Sequence, residues 1–361
     1  MHLFISFVII KKGAMLMNTN ELIKIQNPLL HWYDQNKRDL PWRHTDDAYQ
    51  IWVSEIMLQQ TRVEAVIPYF ERFIKRLPTI EALASIEEDA LMKLWEGLGY
   101  YSRVRNMQKC AQELVRQNQK HLPSTYDELI KLPGIGSYTA GAIASIAYGE
   151  KVSAVDGNVL RVITRLQNNF DNVSDLKVRK KIETILNEIM PIQSGNFNQA
   201  LMELGATICI PGNPRCNICP LQSLCHSYQE GTMWQLPIKD KKKKQTEEDK
   251  TILLLLYQNQ IAIQKRPKTG LLASLWEFPN REGHIQNIHD LYPHAQIEKT
   301  PPYKHVFTHK IWNMEGYIIY LQEKPIEEYT WVSLSELETL HSLPSAFKYF
   351  LENIPQKNLS R

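Results

Sequence analysis

The sequence predicts two domains of different class, an all-α domain followed by a smaller α+β domain. From Leu22 to about Tyr228 apolar residues recur at helical spacing, with Gly, Pro and Asn at the breaks and no clear alternation of period two. Near Trp234 the composition changes, and residues 239–250 are highly charged. Beyond them, short apolar runs bounded by turn residues are typical of strands. These three observations together predict the fold class.

The composition is that of a globular protein with a substantial core. The chain has 361 residues, of which 43% are hydrophobic and 22% charged, and this length suits two or three domains. The net charge of +3 is too small to indicate a polyanionic partner by itself. The apolar run at residues 3–10 is too short to span a bilayer, and lysines follow it instead of preceding it. We therefore expect residues 1–17 to be a non-native or disordered extension, with a hydrophobic anchor as the alternative, in a cytoplasmic protein without a membrane partner.

The first helical segments place a carboxyl group among apolar side chains. After a helix that begins at Asn27, residues 38–43 form a loop with two arginines and an indole. Residues 51–61 are predicted to be helical, with Ile51 and Ile56 directed inward. Glu55 then lies beside apolar neighbours.

Glycines, aromatic residues and arginines occur together at residues 94–105, where a helix breaks. This composition suits a loop that inserts apolar side chains between bases while cations hold phosphates. A glycine corner with core aromatics is the alternative, and the composition alone does not separate the two interpretations.

The predicted domain is organised around residues 132–148, which indicate a helix, a hairpin and a second helix. Thr125 and Glu128 have the spacing of a capping box for the first helix. Gly134 and Gly136 suit a tight turn, and Ser137 is placed to cap the second helix. Backbone N–H groups in such a hairpin can hold one phosphate without reading base sequence. An ordinary helical hairpin with a glycine turn is the alternative.

The C-terminal part is predicted to be a separate α+β domain at residues 251–355. Strands are expected at residues 251–257, 260–265, 310–320 and 329–332, and helices at residues 335–340 and 345–350. Residues 229–250 are predicted to be a solvated linker, although their lysines suit contact with phosphates too. The preceding helical domain is assigned to residues 18–228.

Four of the five cysteines form a predicted metal site. Cys209, Cys216, Cys219 and Cys225 are separated by six, two and five residues. Zinc sites usually pair two Cys-x2-Cys units, and this run has one, so it favours a 4Fe-4S cluster over zinc or four core thiols. The cluster loop, with Arg215 and Lys239 nearby, suits either redox chemistry or a phosphate contact. Cys110 stands apart and is expected to be a buried thiol.

These motifs resemble the helix-hairpin-helix DNA glycosylase superfamily and, within it, the adenine DNA glycosylases known as the MutY family. The resemblance runs from about Asn27 to Phe350. It is carried, in order, by Leu40–Arg43, Trp52–Thr61, Gly97–Tyr101, Leu132–Gly136, Val155–Asn158 and the four-cysteine spacing. It implies a six-helix module at about residues 40–150 and a cluster module from residues 18–39 and 151–228.

The resemblance implies a monomer that acts on adenine mispaired with 8-oxoguanine in double-stranded DNA. Glu55 would protonate adenine N7, and Asp156 would stabilise the sugar cation electrostatically or as a transient nucleophile. Tyr138 and Asn158 would orient these groups. The alternatives are an ion pair with an arginine for Glu55 and a helix N-cap for Asp156. Related endonuclease III enzymes carry a lysine at the position of Tyr138, so no Schiff base is expected here.

The resemblance further assigns residues that contact DNA or the lesion. These are Gln60, Thr61, Leu98 and Tyr100 around the extruded base, Gly134 and Gly136 in the hairpin, and Phe307, Thr308 and His309 in the C-terminal domain. That domain resembles the Nudix fold but lacks its clustered carboxylates. The loop at residues 307–309 normally contains Ser where Thr308 stands, and a strand-end aromatic with a solvated His is the alternative.

Three functions of different class are therefore compared. The first is a monofunctional adenine glycosylase. The second is an oxidised-pyrimidine glycosylase with lyase activity, which Tyr138 disfavours, and the third is a non-catalytic iron-sulfur DNA-binding or electron-transfer protein, which Glu55 and Asp156 disfavour.

Overall fold

The computed structural model describes residues 19–241, 244–325 and 328–355. The extension predicted at residues 1–17 lies outside these ranges, as do two lysines of the predicted linker. The chain divides into two compact units. One comprises the chain up to Ile74 together with Cys110–Lys241, and the other comprises Lys75–Lys109 together with the chain from residue 242 onward. The helical domain predicted for residues 18–228 is thus shared between two units.

The first unit is helical, and so is the segment Lys75–Lys109 of the second. In chain order the helices are α1 (Thr19–Leu22), α2 (Gln26–Asn36), α3 (Ala48–Leu58), α4 (Val63–Arg76), α5 (Ile80–Ser85), α6 (Glu88–Leu94), α7 (Ser102–Arg116), α8 (Tyr126–Leu129), α9 (Ser137–Tyr148), α10 (Gly157–Leu166), α11 (Leu176–Glu188), α12 (Ser194–Thr207) and α13 (His226–Gln229). Short 3-10 turns lie at Ile23–Ile25, Pro41–Arg43, Cys216–Ile218, Gln222–Leu224 and Met233–Gln235. Within the described ranges, no helix has both the length and the apolar character needed to cross a membrane.

The core of the first unit explains how polar side chains come to lie inside it. α2, α10, α11 and α12 surround a buried cluster that includes Leu29, Ile163, Leu186 and Phe197. α3 packs against α9, and α9 packs against α12. α3 and α9 are apolar around most of their circumference, a pattern typical of helices enclosed by others. The few polar residues of these helices are therefore enclosed too.

The predicted helix-hairpin-helix forms between α8 and α9, but its capping differs from the prediction. Gly134 has φ of +76°, which favours glycine, whereas Gly136 has φ of −93° and ψ of 177°, which any residue adopts. The capping box is absent because the Thr125 hydroxyl donates to the Glu128 carboxylate at 2.6 Å. Ser137 does not cap α9, because it is the first helical residue and its hydroxyl donates to Glu183 at 3.2 Å.

The C-terminal part of the second unit is a mixed sheet with helices. The described residues form eight strands: β1 (Thr246–Tyr257), β2 (Gln260–Lys265), β3 (Trp276–Glu277), β4 (Asn280–Glu282), β5 (Gln296–Lys299), β6 (Tyr303–Val306), β7 (Lys310–Tyr320) and β8 (Thr330–Val332). They are followed by α14 (Leu334–Leu340) and α15 (Ser345–Glu352). The main order is β3-β2-β1-β7-β5, with β4 beside β1, β6 beside β7 and β8 beside β2.

The sheet is buried on both faces at its centre. β1 and β7 pair in parallel, and the other strand pairs are antiparallel. Ile252 and Leu254 pack in a cluster with Phe347 and Phe350 of α15, whereas Leu253 and its neighbours pack in a second cluster. Burial on both faces explains why the second half of β1, from residue 252 to residue 256, is continuously apolar.

β1 begins at Thr246, inside the stretch predicted to be a linker, so this prediction is wrong for residues 246–250. These residues pair in register with Lys310–Met314 of β7. The main-chain hydrogen bonds of a sheet do not require apolar side chains. Because residues 246–250 are polar, a hydrophobic pattern does not predict that they belong to a strand. The strands predicted at residues 260–265 and 310–320 are confirmed.

Candidate active site

The carboxyl group of Glu55 is buried, as the sequence predicts. α3 begins after Asp47, whose side chain accepts a hydrogen bond from a first-turn amide at 2.9 Å. Glu55 is 6% exposed, and the Tyr138 hydroxyl donates to its Oε2. Burial raises the pKa of Glu55 to about 7; the Tyr138 hydrogen bond and the charge of Arg43 lower it, and the charge of Asp156 raises it. Such a group can hold a proton near neutral pH and donate it.

Asp156 lies at the N-cap of α10 and is the second carboxyl group of the site. Its Oδ1 accepts from the Val159 amide at 2.8 Å, and its Oδ2 accepts from the Asn158 side chain at 2.7 Å. The pKa of Asp156 is raised overall, because burial raises it by more than these hydrogen bonds and the charge of Arg161 lower it. The N-cap weighed in the sequence analysis is present. It does not exclude a chemical role, because its hydrogen bonds favour the charged form of the carboxylate.

Arg161 sets the orientation of the Asn158 amide. Its Nη2 donates to Asn158 Oδ1 at 2.8 Å, and its Nε donates to the Cys209 carbonyl at 2.7 Å. A guanidinium group only donates hydrogen bonds, so the amide oxygen of Asn158 faces Arg161 and its nitrogen faces Asp156. The Asp156 carboxylate is thus connected through two side chains to the start of the cysteine segment.

α12 holds the segment that carries Asp156. A Cβ on Gly205 would lie 2.6 Å from the Cβ of Asn158, so the close contact between α12 and α10 requires glycine. Asn198 accepts from the Ala154 amide at 3.0 Å and donates to the Val152 carbonyl at 2.8 Å. These contacts fix the backbone on both sides of Asp156.

The structure brings the four predicted catalytic residues into one electrostatic environment. Burial raises the pKa of Tyr138 well above its ordinary value, and the charges of Glu55 and Asp156 raise it further. Asn158 contacts Asp156 directly. The alternative for Glu55 was an ion pair with an arginine. The nearby arginines Arg38 and Arg43 instead donate hydrogen bonds to the carboxylate of Glu203.

The four cysteines predicted to bind metal surround one small cavity. Cys209, Cys216, Cys219 and Cys225 line a space of about 30 Å³ together with Arg165. Arg165 Nη1 lies 3.3 Å from Cys209 Sγ and donates to the Ile210 carbonyl at 2.9 Å. Four thiols around one cavity suit a soft, thiolate-binding metal group. Over residues 19–241, 244–325 and 328–355, no three His, Cys, Asp or Glu side chains are arranged to hold a single ion. Cys110 is buried and does not line this cavity.

The predicted DNA contacts of the first unit are on its surface or partly exposed. Gln60 follows α3, is exposed and has φ of +60°, which is uncommon for a residue other than glycine. Thr61 is partly buried beside it, and its hydroxyl donates to the Gln59 carbonyl at 3.4 Å. Gly134 and Gly136 are exposed in the hairpin. The described conformation therefore leaves the hairpin backbone accessible.

The predicted lesion contacts of the second unit differ in exposure. Leu98 is only 6% exposed, so it does not project into solvent as a wedge would, whereas Tyr100 is 44% exposed and has φ of +48°. Arg103 holds this loop, because its Nη2 donates to the carbonyls of Leu98 and Gly99 and its guanidinium lies 5.6 Å from the Tyr100 ring centroid. The hydrogen bonds of Arg103 thus hold the loop in a conformation that leaves the Tyr100 ring exposed.

The loop at residues 307–309 connects β6 and β7 in the same unit. Phe307 is half-buried, with its ring centroid 4.9 Å from that of Trp312, whereas Thr308 and His309 are exposed. The hydroxyl groups of Thr308 and Tyr100 lie 2.7 Å apart and share a hydrogen bond. The two segments assigned to the lesion by resemblance therefore meet within this unit.

Sequence reasoning missed the charged residues that support the site. Arg161 and Arg165 interrupt the apolar α10 at a spacing of four, and Glu203 interrupts the apolar α12. All three are at most 6% exposed. A charge on an apolar helix face is the signal that could have found them, since a buried charge requires partners.

Comparisons with known proteins identify both parts of the chain. Residues 53–188 match the HhH-GPD superfamily of base excision DNA repair proteins, and residues 251–353 match the NUDIX domain. The adenine DNA glycosylase of Buchnera aphidicola subsp. Schizaphis graminum (strain Sg) is 38% identical over 294 residues, which are 81% of this chain and 85% of the relative. That of Buchnera aphidicola subsp. Baizongia pistaciae (strain Bp) is 42% identical over 254 residues, 70% of this chain and 72% of the relative.

The solved structure of a thermostable thymine-DNA glycosylase is similar in fold. It matches with a TM-score of 0.54 and 27% identity, over 59% of this chain and 99% of that chain. The predicted helix-hairpin-helix and Nudix-like fold class is confirmed by the two domain matches. Relatives that are 38% and 42% identical match this chain over 85% and 72% of their own length, so the chain belongs to the adenine DNA glycosylases, a family of hydrolases that cleave N-glycosidic bonds.

Proposed function

We propose that the protein is a monofunctional glycosylase that releases adenine mispaired with 8-oxoguanine from duplex DNA. The observation that carries the proposal is one buried site that contains Glu55, with a pKa of about 7, and the hydrogen-bonded carboxylate of Asp156. Cleavage of a glycosidic bond needs an acid and a negative charge at the same sugar. Tyr138 stands where the resembling lyases carry a lysine, so this site lacks the amine for a Schiff base.

The proposed reaction uses the two carboxyl groups in opposite protonation states. Glu55 donates its proton to N7 of adenine, the C1′–N9 bond breaks, and its electron pair leaves with the neutral base. The Asp156 carboxylate balances the positive charge that develops on the sugar. Water then adds to C1′, and its proton returns to Glu55. Tyr138 orients Glu55, and Asn158 orients Asp156.

Adenine has to leave the base stack before Glu55 can reach it. Extrusion of a base costs roughly a few kcal/mol, and side chains that fill the gap offset part of this cost. Gln60 and Tyr100 are suited to this role because each is exposed and held by a left-handed backbone at the surface of its unit. Gly134 and Gly136 supply backbone amides for a phosphate, and Thr61 lies beside Gln60.

The four cysteines would hold a 4Fe-4S cluster. All four donors are thiols around one cavity, and Arg165 donates to this segment from α10. A bound cluster would link Cys209 to the segment Cys216–Cys225 and so stabilise this part of the chain. It would also be able to carry out redox chemistry. Arg161 and Arg165 fix the Cys209 end of the loop.

Recognition of the oxidised purine is assigned to the second unit. The shared hydrogen bond between Tyr100 and Thr308 supports this proposal, because it presents two hydroxyl groups and an aromatic ring at one exposed place. Thr308 keeps the hydroxyl of the usual Ser but adds a methyl group. The aromatic contact of Phe307 with Trp312 fixes the base of the loop.

The protein is proposed to act as a monomer on chromosomal DNA in the bacterial cytoplasm. The bacterial location rests on the similarity to bacterial adenine DNA glycosylases, whereas the monomeric state is only what the family resemblance implies.

The function is tested with two duplexes, one containing 8-oxoguanine:A and one containing thymine glycol. We expect adenine release from the 8-oxoguanine:A duplex without alkali, and cleavage of its strand only after alkali treatment. The preparation is expected to contain four irons per chain, as a 4Fe-4S cluster requires. Spontaneous cleavage at thymine glycol would indicate the lyase instead. Binding without release of any base, by folded and iron-loaded protein, would indicate a non-catalytic DNA-binding protein.

Replacing Phe307, Thr308 and His309 together with alanine is expected to reduce the preference for 8-oxoguanine:A over G:A by about tenfold. Lost contacts at the oxidised purine of about 1 to 2 kcal/mol account for this change. The measurement is the ratio of single-turnover rates on the two duplexes. Thr308→Ser is the matched control, because it retains the hydroxyl. An unchanged ratio in the triple variant would contradict the assignment.

A further inference from the structure

Glu203 of α12 is a buried carboxylate that the proposed reaction does not use. It is 1% exposed, and its Oε1 accepts from Arg38 Nε at 2.7 Å and from the Arg38 amide at 3.2 Å. Its Oε2 accepts from Arg38 Nη2 at 3.0 Å and from Arg43 Nη2 at 2.7 Å. Burial raises the pKa of Glu203, but the hydrogen bonds from both arginines outweigh it and lower the pKa to about 2. Glu203 is therefore negatively charged at any pH at which the protein works.

Arg43 is held on three sides. Besides Glu203, its Nη1 donates to the Arg38 carbonyl at 2.8 Å, and its guanidinium lies 5.4 Å from the centroid of the Tyr33 ring. The side chain is only 12% exposed. A planar guanidinium group with two fixed hydrogen bonds and an aromatic face has little freedom to move. Its charge therefore acts from a constant position.

The 3-10 turn Pro41–Arg43 packs against α3, the helix that carries Glu55, so the charge of Arg43 lies close to this carboxyl group. Besides burial, three groups shift the pKa of Glu55: Tyr138 of α9, Asp156 before α10, and Arg43 at the end of the loop at residues 38–43. A nearby cation favours the ionised form of a carboxyl group, which is the wrong form for an acid catalyst. Arg43 thus opposes the protonation of Glu55, although burial outweighs it.

Glu203 supplies the opposing charge at hydrogen-bond distance from the same guanidinium. A cation paired with an anion at 2.7 Å has a much weaker field at a third group than an isolated cation. Arg38 completes the network as a second cation, and its Nη1 lies 3.9 Å from the exposed carboxylate of Glu64. The network is therefore a compensated set of charges at the edge of the site.

We infer that Glu203 is a positioning residue of the active site, which fixes Arg43 against α3 and balances its charge next to the helix that carries Glu55. The inference rests on the proposed function, since it takes Glu55 as the acid. It assigns to α12 a role in setting the protonation state of a residue on α3.

The test is the pH dependence of single-turnover adenine release from an 8-oxoguanine:A duplex. In Glu203→Gln the negative charge is lost while the Arg38 carbonyl and Tyr33 still hold Arg43, so the pKa of Glu55 falls. The pH above which the rate declines is expected to move down by about one unit. In Glu203→Asp the charge is retained, so the decline is expected at the original pH even where looser contacts reduce the rate.

Arg43→Gln is expected to shift the pH profile in the opposite direction. This variant keeps the ion pair between Arg38 and Glu203, so it still tests the inference if Glu203→Gln does not fold. Without the cation the pKa of Glu55 rises, and the decline moves to higher pH. Iron content and mismatch binding report on folding in each variant. A decline that stays at the same pH in Glu203→Gln, or that moves in one direction in both Glu203→Gln and Arg43→Gln, would overturn the inference.

The same measurements separate the inference from the proposed function. If Glu55→Gln releases adenine at a normal rate, the assignment of Glu55 as the acid is wrong. If Glu55→Gln is inactive and the pH profile of Glu203→Gln is unshifted, only the role of Glu203 is wrong.

Discussion

Replacing Glu55 with glutamine is expected to lower the rate of adenine release by about 10³-fold while mismatch binding is retained. Glutamine has the shape of the protonated acid and can accept the hydrogen bond from Tyr138, but it has no acidic proton for N7 of adenine. The measurement is single-turnover release from an 8-oxoguanine:A duplex, together with the binding constant for a duplex that contains an uncleavable adenine analogue.

The pH profile of the unmodified protein provides a second check on Glu55. Because the reaction needs its protonated form and its pKa is raised to about 7, the rate is expected to decline as the pH rises through about 7. This decline is expected to disappear from the residual activity of Glu55→Gln.

Glu71→Gln is a matched control for Glu55→Gln, since Glu71 is an exposed residue of α4. Its rate is expected to equal that of the unmodified protein. Near-normal release by Glu55→Gln, with normal iron content, would remove Glu55 from the mechanism.

Asp156→Asn is expected to lower the rate by about 10²- to 10³-fold, again with mismatch binding retained. Asparagine can still accept the hydrogen bond from the Val159 amide, so α10 keeps its N-cap, but the charge that balances the sugar cation is lost. Removal of this charge also lowers the pKa of Glu55, because Asp156 raises it. Residual activity should therefore decline at a lower pH than in the unmodified protein, and the pH profile measures this shift.

Asp175→Asn makes the same change at another helix N-cap. Asp175 accepts from the Lys177 amide at 2.8 Å at the start of α11 and is exposed. We expect normal release from this variant, which would show that an N-cap substitution alone does not reduce the rate. Equal losses in Asp156→Asn and Asp175→Asn would mean that Asp156 acts through helix stability only.

Several features of the fold and the site could be predicted from local sequence. The buried position of Glu55 follows from the apolar helix around it, and the four-cysteine spacing predicts one cluster of thiols because short loops keep such residues together. The turn at Gly134 follows from the left-handed backbone that glycine adopts freely. These predictions depend only on neighbours within a few residues.

Local patterns were insufficient where a partner distant in the chain decides the outcome. β1 begins at Thr246 because β7 supplies its hydrogen bonds, and Ser137 donates to Glu183 instead of capping α9. In each case contacts with residues far along the chain outweigh the local preference, which is worth about 1 kcal/mol or less.

The sequence by itself determined the two domain types and the family, and it supplied the residues proposed for the reaction, because these depend on composition, spacing and motif order. Only the tertiary structure decided the charge state of the site. Glu203 and Arg161 form hydrogen bonds with Arg43 and Cys209, which lie 160 and 48 residues away, and packing of the helices brings these pairs into contact. The pKa of a buried carboxyl group depends on every charge within a few ångströms, and that set exists only once the chain has folded.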